Sequence, residues 1–139
     1  MRIHTTRLLI RTLDGASMHD ITDEVNSFIA DARLETAMCV LTARHRECAL
    51  SLTDSVEDRF DDLIRLARDV VAPRGRRTEV RSDGLDVVPE GGPVGAVVAD
   101  TLSLPVIDGR LATGSWECVV LLEALGPSER HVDLTLIGR

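Results

Sequence analysis

The chain has 139 residues, 44% hydrophobic, 28% charged and 2% aromatic, with a formal net charge of −7 at pH 7. That length fits one domain that buries roughly two-thirds of its unfolded surface without a disulfide or metal to hold it. The negative charge excludes a surface built for nucleic acid, which needs clustered cations.

With so few aromatics and no Tyr, the core has to be built from Val, Leu, Ile and Ala. All 16 basic residues are Arg. The run Arg74-Gly75-Arg76-Arg77 carries no interleaved aromatic and reads as a solvated loop. Cys39, Cys48 and Cys118 sit inside apolar stretches with no CxxC spacing, which predicts buried, reduced thiols. No apolar run approaches the ~20 residues that span a bilayer, and Met1-Arg2-Ile3-His4 has no signal-peptide core. The expectation is a cytoplasmic protein with no membrane and no nucleic-acid partner.

In chain order, Arg2 to Leu13 is rich in Thr, Ile and Leu and predicts a first strand, closed by a turn at Asp14-Gly15. Asp20, with Asp23 three residues on, predicts a helix start. A side-chain oxygen there accepts a free N–H of the first turn, and acids suit the positive end of the helix dipole. Ile21, Val25, Phe28 and Ile29 then recur on one helical face, and the helix is expected to end near Arg33. Thr36 to Thr42 and Cys48 to Thr53 predict two strands joined through Arg44-His45-Arg46-Glu47.

Asp54 with Glu57 forms a capping pattern ahead of a second helix. Its apolar stripe is Phe60, Leu63, Ile64, Ala67, Val70 and Val71, and Pro73 and Gly75 end it. Arg74 to Gly92 predicts a long loop, and Pro93 suits the first position of a short helix through Asp100. Thr101 to Ile107 predicts a strand, with a hairpin turn at Asp108-Gly109, because both residues tolerate positive φ. Ser115 to Leu125 is nearly continuous in apolar residues and predicts a central strand, with Trp116 packed in the core. Gly126-Pro127-Ser128 turns the chain. His131 to Ile137 alternates as a half-exposed final strand does. The order is mixed α+β, and the short connections favour antiparallel pairing.

Two blocks of residues carry a resemblance. Pro105-Val106, Asp108-Gly109-Arg110 and Gly114-Ser115-Trp116-Glu117 precede an apolar run that ends in Glu123, and Asp20-Ile21-Thr22-Asp23-Glu24-Val25 opens the first helix. His45-Arg46-Glu47-Cys48-Ala49-Leu50 forms a third, weaker match. From roughly Arg7 to Ile137 the chain resembles the YjbQ-like family, some of whose members are described as secondary thiamine-phosphate synthases. The resemblance implies a single-domain α+β fold, an antiparallel β-sandwich with flanking helices. It also implies a homotrimer with sites near subunit boundaries, and a metal held by three histidines. Three convergent imidazoles with an open fourth position suit a divalent ion such as zinc.

Only His45 matches a family ligand. Asp61 stands where the second histidine is expected and Asp62 keeps the acid that follows it, no histidine lies near the third position among Gly92, Pro93 and Val94, and the family Gln after Trp is Glu117. A replacement site of His45, Asp61 or Asp62, and Glu117 would be hard, holding manganese, magnesium or iron weakly. By the resemblance, the catalytic candidates are His45, Glu117 and Arg110, the metal candidates are His45, Asp61 and Asp62, and Arg110 grips a phosphate of a small phosphorylated ligand.

Each has a structural alternative. His45 can be a solvated hinge, and Asp61 and Asp62 can be stabilising acids just past the helix's first turn. Glu117 can be an outward strand residue, and Arg110 a surface residue or half of an ion pair. Glu123 in an apolar strand needs a partner, Arg110 being one. No nucleophile elbow, P-loop or dinucleotide motif competes; Gly91-Gly92-Pro93-Val94-Gly95 lacks the Lys and Ser/Thr of a P-loop. Two functions stay open. One is a non-catalytic or weakly active homologue. The other is a metal-dependent enzyme that joins a pyrimidine diphosphate to a thiazole phosphate, with the metal or Arg110 stabilising the leaving diphosphate.

Overall fold

The computed structural model describes residues 1–54, 61–62, 65, 79–80, 86–87 and 99–139, and among these residues ten strands and the helix α1 have defined bounds. The strands are β1 (Arg2–Arg11), β2 (Gly15–Asp20), β3 (Ala37–Thr42), β4 (Cys48–Asp54), β5 (Glu79–Val80), β6 (Asp86–Val87), β7 (Thr101–Ile107), β8 (Arg110–Leu111), β9 (Glu117–Gly126) and β10 (Glu129–Gly138), with α1 spanning Thr22–Ala32. A five-stranded sheet runs β1-β10-β3-β7-β8 and a three-stranded sheet runs β2-β9-β4; β5 and β6 pair separately. Among the described residues every strand pair is antiparallel.

The two larger sheets bury one shared core. Leu41, Val106, Val132, Leu134 and Leu136 come from the five-stranded sheet, Leu50, Val119 and Leu121 from the three-stranded sheet, and Ile21, Val25 and Ile29 from α1 and its start. Each fully buried aliphatic side chain contributes about 1.5–3 kcal/mol. Alternation on β10 follows the expected pattern, with Val132, Leu134 and Leu136 fully buried. Strand β9 is apolar on both faces: Ala49, Cys118, Val120 and Leu122 form a second cluster behind the three-stranded sheet. This is why its sequence reads as a continuous apolar run rather than an alternating one.

Helix α1 begins one residue later than a cap at Asp20 implies. Asp20 ends β2, yet its Oδ1 still accepts hydrogen bonds from the Thr22 backbone N–H at 2.9 Å and the Thr22 hydroxyl at 2.6 Å. The helix closes at Arg33, which takes a left-handed conformation (φ 52°) and donates its N–H to Ala30 O. The expected Asp108-Gly109 turn is present with φ values of 51° and 72°. It joins β7 to β8 through the pairs Val106–Leu111 and Ile107–Arg110.

Three expectations are corrected. Between the expected Asp14-Gly15 turn and the helix start, where the sequence assigned no element, Gly15–Asp20 is a strand, β2, and Asp20 ends it rather than opening the helix; Gly-Ala-Ser-Met-His-Asp shows no alternation, and its pairing with β9 holds it in place. Within the expected loop 74–92, Glu79–Val80 pairs with Asp86–Val87. Trp116 is 80% exposed rather than packed in the core. Asp61, Asp62 and Arg65 are helical, as the second helix requires, while the rest of that helix and residues 93–98 of the expected third lie outside the described residues. Ala99 and Asp100 are not helical.

Candidate functional site

Among the described residues, a group of polar side chains gathers around Glu123. Strand β9 places its carboxylate beside Ser17 of β2 and Cys48 of β4, which are its register partners on either side. Glu123 is fully buried. Arg130 donates from Nε to Oε2 at 2.6 Å and from Nη2 to Oε1 at 3.1 Å. The Leu125 N–H donates to Oε1 at 3.0 Å and the Thr12 hydroxyl to Oε2 at 3.0 Å, and the Cys48 thiol approaches Oε2 at 3.8 Å. Burial alone would raise the Glu123 pKa, but hydrogen bonds from Arg130, Leu125 and Thr12 outweigh it and leave the pKa lowered. The partner is therefore Arg130, not Arg110. β9 and β10 lie in different sheets, so the turn between them carries Arg130 back across the sandwich end onto the carboxylate.

His45 borders this group. It lies in the β3–β4 connection, half-buried, and its Nε2 accepts the His131 backbone N–H at 3.0 Å. The two imidazole rings are 6.0 Å apart. The His131 Nδ1 is buried with no hydrogen-bond partner among the described residues. Burial, then the positive charge of Arg130, lowers the His45 pKa, which favours the neutral ring. Ser17 Oγ and His19 Nε2 are 2.8 Å apart, and burial lowers the His19 pKa as well. His19 and His131 are not among the candidates the sequence offers; their signal is spatial, since β2 and β10 meet β9, β3 and β1 only through the sheet registers.

The other candidates lie elsewhere or are engaged. Glu117, exposed at the start of β9, accepts the Gly114 N–H at 2.7 Å and so holds the turn ahead of its strand. Arg110, on β8, is exposed and has no ion-pair partner among the described residues; the neighbouring Leu111 N–H donates to the Asn26 side chain of α1 at 3.1 Å. Asp61 and Asp62 are both exposed on their helical stretch. Among the described residues, no group of three or more His, Cys, Asp and Glu side chains is arranged to hold a metal ion. Within one chain, then, the described donors do not fit a three-ligand centre. All three cysteines are buried and unpaired, and burial pushes Cys39 up to about 11 and Cys48 up to about 12, far from a reactive thiolate.

Fold and site together define an antiparallel two-sheet α+β protein with a buried carboxylate–guanidinium pair at one end. The model of the family described as UPF0047 protein YjbQ-like matches residues 6–139, so the chain belongs to that family. It is 27% identical to a UPF0047 protein of Synechocystis sp., over 99% of this chain and 93% of that one. It is 24% identical to a UPF0047 protein of Archaeoglobus fulgidus, over 90% and 94%. Among solved structures, a YbjQ-like protein of unknown function from Sulfolobus solfataricus superposes with a TM-score of 0.86 at 19% identity, covering 99% of each chain. A hypothetical protein from Aeropyrum pernix does so with a TM-score of 0.84 at 22% identity, over 98% of this chain and 99% of that one.

Proposed function

We propose that this chain is a non-catalytic or weakly active member of its family, one that keeps the framework and lacks most of the histidine metal site. The observation that supports this reading is the separation of the donors. His45 is hydrogen-bonded to the His131 backbone, Glu117 is committed to the Gly114 turn, and Asp61 and Asp62 face solvent from a helix. A divalent ion at such sites meets too few ligands at ~2 Å to bind tightly. In this reading the protein works in the cytoplasm as a homotrimer, with any divalent metal held weakly.

The test is metal analysis of purified protein before and after dialysis, together with titration of manganese, magnesium and zinc. Stoichiometric metal that survives dialysis, and is lost in His45→Ala, would overturn the reading.

One feature favours a second reading. Arg110 presents an exposed guanidinium with no ion-pair partner among the described residues, and such a fork suits a phosphate. A thiamine-phosphate synthase-type transferase would use it on the leaving diphosphate. Turnover of the pyrimidine diphosphate and thiazole phosphate, with and without metal, decides this. Activity lost in both Arg110→Ala and His45→Ala establishes the enzyme, and equal rates in wild type and both variants remove those residues from any catalytic role.

A further inference from the structure

The three-stranded sheet has one end where β2 and β4 finish and β9 begins, and Trp116 projects there. It is 80% exposed, the one exposed Trp, Phe or Tyr among the described residues. Its turn is closed from both sides: the Gly114 N–H donates to Glu117 Oε1 at 2.7 Å, and the Glu117 N–H donates to Gly114 O at 3.0 Å. The indole is therefore presented from a fixed backbone, with little ordering left to do on contact. Thr113, Gly114 and Ser115, which precede it, are small or polar.

Acids surround it. Asp54 of β4 stands opposite Glu117 in register. Asp20, the last residue of β2, lies within reach of the Cys118 thiol, two residues past the indole. The first turn of α1 adds Asp23 and Glu24. Val119 holds that turn to the same strand: its N–H donates to Thr22 Oγ1 at 2.8 Å, and its carbonyl accepts the Ile21 N–H at 2.9 Å. The stretches 20–25, 50–54 and 112–119 that build this rim hold five carboxylates and no Arg, Lys or His.

That composition narrows the occupant. Nucleic acid and anionic lipid headgroups are repelled, and so is a second copy of this chain presenting the same rim. An arginine side chain fits. Its planar guanidinium stacks on an indole face while the remaining N–H groups fork onto a carboxylate. Scale points to a peptide rather than to a small cation. Neighbouring strands lie ~4.8 Å apart, so the rim from β2 across β9 to β4 spans on the order of 10 Å, and alternate residues of an extended chain repeat every ~7 Å.

We propose that this rim docks an extended, arginine-bearing segment of another protein, with one guanidinium stacked on Trp116 and its neighbours paired with the surrounding carboxylates. The surface goes beyond the reading above and does not depend on whether a metal binds.

Acetylated and amidated hexa-arginine is the probe, titrated into the full chain at about 50 mM salt, where surface charge is weakly screened. Trp116 is the only Trp, so its indole N–H gives a single NMR signal that reports the contact. That signal is expected to move to saturation, with hexa-arginine bound at least ~3-fold more tightly than hexalysine of equal charge. W116A leaves the net charge unchanged and is expected to weaken hexa-arginine at least ~3-fold. D23N/E24Q/E117Q, which keeps an acceptor for the Gly114 N–H, is expected to lose about 10-fold. D14N/D31N/E35Q removes as many charges outside the rim and is expected to lose clearly less. W116A alters an exposed turn residue and decides the matter if the rim variant does not fold. An indole signal that stays in place, or equal affinity in wild type and folded W116A, overturns the proposal. Equal losses in the two triple variants would mean attraction to overall charge alone, and overturn it too.

Discussion

Arg130 closes on Glu123 with two hydrogen bonds, 2.6 and 3.1 Å long, at a point where the carboxylate has no exposure to solvent. The two residues are seven apart in sequence, but they sit on strands of different sheets, so the pair ties the sandwich shut at one end. Thr12, the residue after β1, joins them by bonding both Glu123 and the Ser128 backbone.

Breaking this pair from one side is costly. Arg130→Met leaves a buried carboxylate without its cation and is expected to lose about 3–5 kcal/mol of unfolding free energy. The double variant E123L/R130M removes both charges and is expected to recover most of that loss. Urea denaturation of the three proteins checks it; a single variant within 1 kcal/mol of wild type would show that the pair is not what holds this end.

Acid is expected to act in two windows, one opening below 6.5 and one below 4.5. The folded-state pKa of His45 lies below its ordinary value of 6.5, so the unfolded chain takes up the proton first. The stability tied to the neutral ring is complete above that value and is lost as pH falls from there through the folded pKa. Glu123 is lowered from 4.5, so its contribution is complete above 4.5 and is lost as pH falls through its own lower folded pKa. His45→Asn should flatten part of the upper window, which His19, also lowered by burial, shares, and Glu123→Gln should flatten the lower one. Denaturant midpoints measured from pH 8 to pH 3 resolve the two.

Much of the architecture was legible because local chemistry and tertiary demand agree. Thr101–Ile107 and the Asp108-Gly109 turn follow from alternation and positive-φ tolerance, and β9 follows from an apolar run too long for one buried face. Strand β2 was not legible: Gly-Ala-Ser-Met-His-Asp has no periodicity of its own and owes its extended form to β9. The partner of Glu123 was hidden for a similar reason. A turn between two strands suggests a hairpin, and nothing local says that β9 and β10 part into different sheets. For the candidate site, sequence identified His45 and Glu117 as polar residues in marked positions. It could not show that each is held by a neighbouring backbone N–H.

Gly126 has no room for a side chain. A Cβ there would collide with the Leu13 carbonyl and lie 3.0 Å from the Thr12 hydroxyl. Because the main obstacle is backbone, the segment after β1 that carries Leu13 must shift, and Thr12 with it. Gly126→Ala is expected to cost about 1–3 kcal/mol and to weaken the acid window of Glu123. A thermal midpoint equal to wild type would contradict the packing.

The thiols should be silent in the native protein. With Cys39 near 11 and Cys48 near 12, the thiolate fraction at pH 8 is at least ~100-fold below that of a free cysteine, before access is counted. Labelling with a disulfide reagent should therefore wait for unfolding, giving three equivalents in denaturant and close to none without it. Rapid native labelling at Cys48 would mean that the Glu123 end opens readily.

Trp116 gives the last test, and it is a clean one because it is the only Trp in the chain. At 80% exposure its indole should emit near the wavelength of free tryptophan and be quenched efficiently by acrylamide. Trp116→Ala should change stability by no more than about 0.5 kcal/mol, as for other surface positions.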